Sequence, residues 1–144
     1  MATTVRWDMA AAELLGSAKV TISTATTTSF DFGTPDDLNL AALANYDPGD
    51  RILVVLSAST AGTTDSITWV IQDAPDSSGS IGTPATAVTS FITGALAAGT
   101  GDDRTVAAVQ VQPGRPWLRV RVTSSGATDT FVTHCTVLAV PSNV

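Results

Sequence analysis

Trp117-Leu-Arg-Val-Arg-Val-Thr123 alternates in character from residue to residue over the length of a strand. With a side-chain period of two, Leu118, Val120 and Val122 share one face, and Trp117, Arg119 and Arg121 share the other. That is the pattern of a half-buried antiparallel strand, which predicts an inward aliphatic face and an outward Trp-Arg-Arg stripe. Turn chemistry brackets it, with Pro113-Gly114 before and Ser124-Ser-Gly126 after. Thr105–Gln112 precedes this unit as a further strand, and Thr130–Val140 follows as the last one, ended by Pro141.

The same signals run back through the chain. Val20-Thr-Ile-Ser23 alternates, and Ser29-Phe-Asp-Phe32 stops at Gly33. Leu38–Ala44 has the spacing of a helical turn packed through Leu40 and Leu43, and Tyr46-Asp-Pro-Gly-Asp50 is a turn. Arg51-Ile-Leu-Val-Val-Leu56 is apolar at both parities, so it is expected to be a central strand buried on both sides. Ile67-Thr-Trp-Val-Ile-Gln72 places Ile67, Trp69 and Ile71 on one face, with Trp69 in the core. Asp73–Thr83 reads as a polar loop, Ala87–Leu96 as a strand and Ala97–Asp103 as another loop. About eight strands with turns every 10–15 residues predict an all-β fold, a two-sheet antiparallel sandwich of the jelly-roll or Greek-key kind. A closed barrel satisfies the same alternation.

Residues 1–19 read differently. Asp8 is placed to cap a short helix over Met9-Ala-Ala-Ala-Glu-Leu-Leu15, with Gly16 as its stop. Two turns are not stable alone, so Val5, Trp7, Met9, Leu14 and Leu15 need a surface to lie on, in their own sandwich or on a neighbour. The expected organisation is an N-terminal arm over 1–19 and a sandwich over 20–144.

Composition narrows the function. The 144 residues suit one domain. Charged residues are 14% and the net charge is −6. Twelve of the thirteen acids are Asp, the turn acid, and Lys19 is the single lysine. A basic face for nucleic acid or anionic lipid is therefore not expected. No apolar run has the length of a membrane helix, and nothing at the amino end reads as a signal peptide. His134 and Cys135, one of each in the chain, are strand neighbours and should point to opposite faces, which rules them out as a nucleophile–base pair. One His and one Cys are too few for a zinc site. Asp47/Asp50, Asp73/Asp76 and Asp102/Asp103 offer oxygen ligands, but their Gly and Pro neighbours mark turns. No nucleophile elbow or phosphate loop occurs. The expectation is a protein without catalytic residues, metal or cofactor.

Read end to end, the chain resembles the tailed-bacteriophage capsid cement (decoration) proteins. The matching pieces are Glu13-Leu-Leu-Gly-Ser-Ala-Lys-Val20, Phe30-Asp-Phe-Gly33, Asp50-Arg-Ile-Leu-Val-Val-Leu56, Ile67-Thr-Trp-Val-Ile-Gln-Asp73 and Pro113-Gly-Arg-Pro-Trp-Leu-Arg-Val-Arg-Val-Thr123. Phe32 stands where the family more often has Leu, and residues 34–47 exceed the usual connection. The resemblance implies a jelly roll that associates as homotrimers and binds the major capsid protein on the outside of the shell, with no nucleic acid or membrane as partner. Its candidate contact residues here are Val5, Trp7, Met9, Leu14 and Leu15, with Trp117, Arg119 and Arg121 as a second surface. Arginines paired with Asp residues of their own chain are the competing account of that second surface. A carbohydrate-binding or host-adhesion sandwich is the alternative, with Trp7, Tyr46 and Trp117 as its platforms, and a small hydrolase comes third.

Overall fold

The computed structural model describes residues 13–33, 37–44, 46–47, 49–93 and 103–140. Val5, Trp7, Asp8 and Met9 lie outside them. Eleven strands occur among the described residues: β1 (Glu13–Ile22), β2 (Thr27–Ser29), β3 (Leu38–Asn39), β4 (Ile52–Thr60), β5 (Ile67–Ala74), β6 (Asp76–Ser77), β7 (Ser80–Ile81), β8 (Ala85–Thr93), β9 (Asp103–Val111), β10 (Trp117–Ser124) and β11 (Phe131–Ala139). A first sheet has the order β1-β11-β4-β9 and a second the order β2-β10-β5-β8, with β3 also paired to β10. Every pairing is antiparallel. The chain passes back and forth between the sheets, except that β2 and β3 both pair β10 and that β5 and β8, separated by the β6–β7 hairpin, are neighbours in the second. The fold is thus the expected antiparallel β-sandwich, in the strand order of a jelly roll. Two separate sheets set aside the closed barrel.

Alternation explains the core. Ile52, Val54 and Leu56 of β4 and Val137 and Cys135 of β11 face Ile67, Trp69 and Ile71 of β5 and Leu118, Val120 and Val122 of β10, all buried. Phe30 and Phe131 close the interior. Burial makes these inner faces the main source of stability, since each large aliphatic or aromatic side chain removed from water contributes about 1.5–3 kcal/mol.

The structure departs from the sequence expectation in six places. Residues 13–15 are extended in β1, not helical, so the sandwich takes in residues 13–19 of the expected arm. A bulge between Leu14 and Gly16 sends Leu15 into the core and leaves Leu14 outside. Gly16 acts through close approach, not as a helix stop, because a Cβ there would meet the Phe32 ring at 3.0 Å. β4 is buried on one side only, with Leu53 and Val55 half-exposed. The loop expected over 73–83 contains the end of β5 and the β6–β7 hairpin. Trp117 is buried, at 1% exposure. The hairpin reaches it, and its indole N–H donates to Asp76 Oδ1 at 3.0 Å. The segment read as a helical turn begins as β3 and continues as a 3-10 turn, Leu40–Ala42, with Leu40 buried.

Asp76 Oδ2 also accepts from the Gly79 N–H at 3.0 Å. This bond and the Trp117 indole together hold the Asp76 carboxyl below its ordinary pKa. A depressed folded value makes the link fully present above the usual aspartate range and lost as pH falls through the folded pKa. The Trp117 indole N–H resonance should therefore titrate with a midpoint below about 3.9, the value of an unperturbed aspartate. Asp76→Asn should abolish that titration, and a midpoint at or above the ordinary value would break the assignment.

Candidate functional site

The outer face of the first sheet is the candidate contact surface. Register places Leu14, Leu138 and Leu53 in one row across β1, β11 and β4. The next rows set Val55 between Thr136 and Ala108, and Ser57 between His134 and Val106. Leu14 is 60% and Val106 69% exposed, the large hydrophobic side chains that stand furthest into solvent among the described residues. Lys19, opposite His134, supplies the charge of this face in its middle rows. The apolar outward parity of β4, which led to the expectation of burial on both sides, lies here without a covering layer among the described residues. Exposed apolar patches of this kind mark protein contact sites.

Of the residues expected to make contacts, Leu14 is on this face and Leu15 is in the core. Val5, Trp7 and Met9 are outside the described residues. The second expected surface is not a free stripe. Trp117 is buried and bonded to Asp76 of the hairpin, and Arg119 makes a bidentate ion pair with Asp37, Nε to Oδ1 and the second guanidinium nitrogen to Oδ2, both at 2.8 Å. This is the intrachain arginine–aspartate pairing weighed against an interface. Arg121 is half-buried, and its Nε is buried without a hydrogen-bond partner.

Elsewhere several polar side chains are engaged in the fold, although Asn39 Oδ1, Trp69 Nε1 and Gln72 Oε1 are buried without a hydrogen-bond partner. Asp73 accepts from the Gly114 N–H at 3.0 Å and from Arg115 Nε at 2.7 Å. The Asp47 N–H donates to Asp50 Oδ2 at 3.0 Å, the turn role read from the sequence. Cys135 is buried, which drives its thiol pKa far up, and His134 is exposed on the opposite face. No group of three or more His, Cys, Asp or Glu suited to a metal ion forms among the described residues. Ala41, Tyr46, Gly49, Pro113, Gly114, Arg115 and Pro116 line a cleft of about 160 Å³, below the roughly 300–1,000 Å³ of ligand sites. Tyr46 is 7% exposed, and burial followed by the Asp50 carboxylate raises its phenol pKa.

One constellation escaped the sequence reading. Asp129 Oδ2 accepts from the N–H groups of Thr64 and Asp65, both at 2.7 Å. Asp65 Oδ2 accepts from those of Thr128 and Asp129, both at 2.8 Å. Each loop between sheets, β4–β5 and β10–β11, thus satisfies the other's backbone donors with a buried carboxylate. Gly62 and Gly126 permit the approach, since a Cβ would fall 1.9 Å from Asp129 Oδ1 and 2.1 Å from Asp65 Oδ1. The signal was present as a repeat, Gly62-Thr-Thr-Asp65-Ser66 against Gly126-Ala-Thr-Asp129-Thr130. It is a structural clasp, in which each carboxylate holds two backbone N–H groups of the facing loop.

No family model and no curated protein matches the chain. Among solved structures, the CBM22-1–GH10 modules of Clostridium thermocellum endo-1,4-β-D-xylanase 10B, complexed with xylohexaose, align with 11% identity and a TM-score of 0.46. That alignment covers 90% of this chain and 27% of the xylanase chain, so the chain spans about a quarter of that length. A Bacillus endospore appendage, from disulfide-linked pili, aligns with 17% identity and a TM-score of 0.36 over 88% of both chains. Similarity this low assigns no function.

Proposed function

We propose that this chain is a non-enzymatic structural protein that coats the outside of a phage capsid, docking the outer face of its β1-β11-β4-β9 sheet against shell subunits. The observation that carries the reading is β4, whose outward Leu53 and Val55 lie beside Leu14 and Leu138 on a face that no element among the described residues covers. Low charge and a single lysine suit burial between proteins outside the packaged genome. Modest affinity per copy suffices, because a lattice multiplies it through several neighbours. The sugar-binding alternative draws no support from two of its three platforms, since Tyr46 and Trp117 are buried and have no open ring face for a pyranose, while Trp7 lies outside the described residues.

Purified protein should cosediment with undecorated, expanded heads. Leu14→Asp, at an exposed position, should leave stability within about 0.5 kcal/mol and weaken that binding at least tenfold. Deletion of residues 1–12, which spares β1, tests Val5, Trp7 and Met9 separately and should also weaken it. Normal decoration by Leu14→Asp would remove the sheet face from the reading. Binding to a glycan in the absence of heads would favour the sugar-binding alternative.

A further inference from the structure

The four edges of the two sheets are guarded unequally. Edge strands expose a row of unpaired N–H and C=O groups, and proteins blunt them with short length, lysine, proline or bulges. On the second sheet, β2 and β3 have three and two residues, and β8 pairs with β5 through a register shift between Val70 and Gln72. On the first sheet, β1 carries Lys19 and the bulge between Leu14 and Gly16. β9 has no lysine, proline or bulge, and its charged residues, Asp103 and Arg104, are confined to its first two positions. Its nine residues pair with β4 in unbroken register from Asp103 to Val111. Thr105-Val-Ala-Ala-Val-Gln-Val111 contains no charge, proline or glycine. No strand pairs with its other side among the described residues. Its core-facing Thr105, Ala107 and Val109 are only half-buried, whereas Ile52, Val54 and Leu56 of the adjoining β4 are fully buried.

We infer that β9 is a homotypic docking edge, which pairs antiparallel with β9 of a second copy to join two first sheets into one of eight strands. An antiparallel edge is its own complement under a two-fold axis, because its donor and acceptor rows match when the strand meets itself reversed. Charge favours this edge, since a chain of net charge −6 repels its own copies and the segment from Thr105 to Val111 adds nothing to that repulsion. Pairing would cover the half-buried side of Ala107 and Val109, and it would make the apolar outer faces of two copies continuous. A nine-residue edge buries less than the ~800 Å² per partner of a standard stable interface, so the dissociation constant is expected on the order of micromolar.

Sedimentation equilibrium of the purified full chain, at tens of micromolar and without heads, tests this apart from any capsid role. The expected mass is about twice the 14.7 kDa of one chain. Val106→Lys combined with Ala108→Lys should weaken self-association at least tenfold, with an unchanged circular dichroism spectrum. Single cysteines placed along β9, at Thr105, Val106, Ala108 and Gln110, should give an oxidised dimer at the position nearest the two-fold axis. Lys19→Cys on the opposite edge should give none. The cysteine series decides the matter if the lysine variant fails to fold. A monomeric wild-type chain, a trimer, a lysine variant that associates normally, or cross-linking through Lys19→Cys in place of β9 would overturn the inference.

Discussion

Asp129→Ala should lower the stability of the sandwich by about 3–5 kcal/mol, because two buried backbone donors lose a charged acceptor and each such bond contributes about 1.5–3 kcal/mol. The donors, Thr64 N–H and Asp65 N–H, lie 2.7 Å from the carboxylate in a loop that closes the end of the sandwich. Gly62→Ala attacks the same clasp sterically. Its Cβ would fall 1.9 Å from Asp129 Oδ1, so the carboxylate must leave its position or the loop must move. Asp129→Asn retains one acceptor oxygen and should cost less than the alanine. Asp65→Ala should resemble Asp129→Ala, since its carboxylate holds Thr128 and Asp129 in the same manner. The two residues act through one pair of loops, so the double alanine variant should cost clearly less than the sum of the singles. Urea unfolding of the wild type, the two single alanine variants and the double alanine variant gives the cycle. Strict additivity, or losses below about 1 kcal/mol, would mean that the loops hold their positions without the clasp.

Arg119→Ala should destabilise the fold by about 3 kcal/mol, the lower end for breaking a buried ion pair from one side. Asp37 keeps 4% of its side chain exposed and Arg119 keeps 24%, so the aspartate is left buried without its fork while the arginine was partly solvated from the start. The loss should appear as a drop in melting temperature on the order of 10 °C. Asp37→Asn combined with Arg119→Ala should recover part of it, because the stranded charge is then gone. The same substitution separates two roles for this arginine. An unchanged melting temperature with weakened binding to heads would make Arg119 a contact residue. A lower melting temperature in the isolated protein places its work inside the fold.

Much of the architecture was legible because strand alternation is local. A period of two in Trp117–Thr123 and Ile67–Gln72 assigns inner faces without knowledge of the partner strand, and Leu118, Val120, Val122, Ile67, Trp69 and Ile71 are all buried as expected. The clasp was less legible. Asp beside Gly and Thr ordinarily serves a turn of its own, whereas Asp65 and Asp129 serve each other's loops across a separation of 64 residues. Residues 13–15 were misread because Ala, Glu and Leu favour helix when alone, while pairing with β11 draws Glu13–Ile22 into a sheet.

Two further differences share one cause. Parity places Trp117 on the same face as Arg119 and Arg121, and that is where it lies, yet the β6–β7 hairpin covers that face at the start of β10 and buries the indole. Parity likewise places Leu53 and Val55 on one side of β4, and an apolar run implied that something lies over them, yet no element among the described residues does. The order of residues determined the strands, their inner faces and the sandwich, because side-chain alternation is a property of the extended backbone itself. Which outer faces are roofed and which stay open was decided by the tertiary structure, because cover depends on segments far apart in the chain meeting in space.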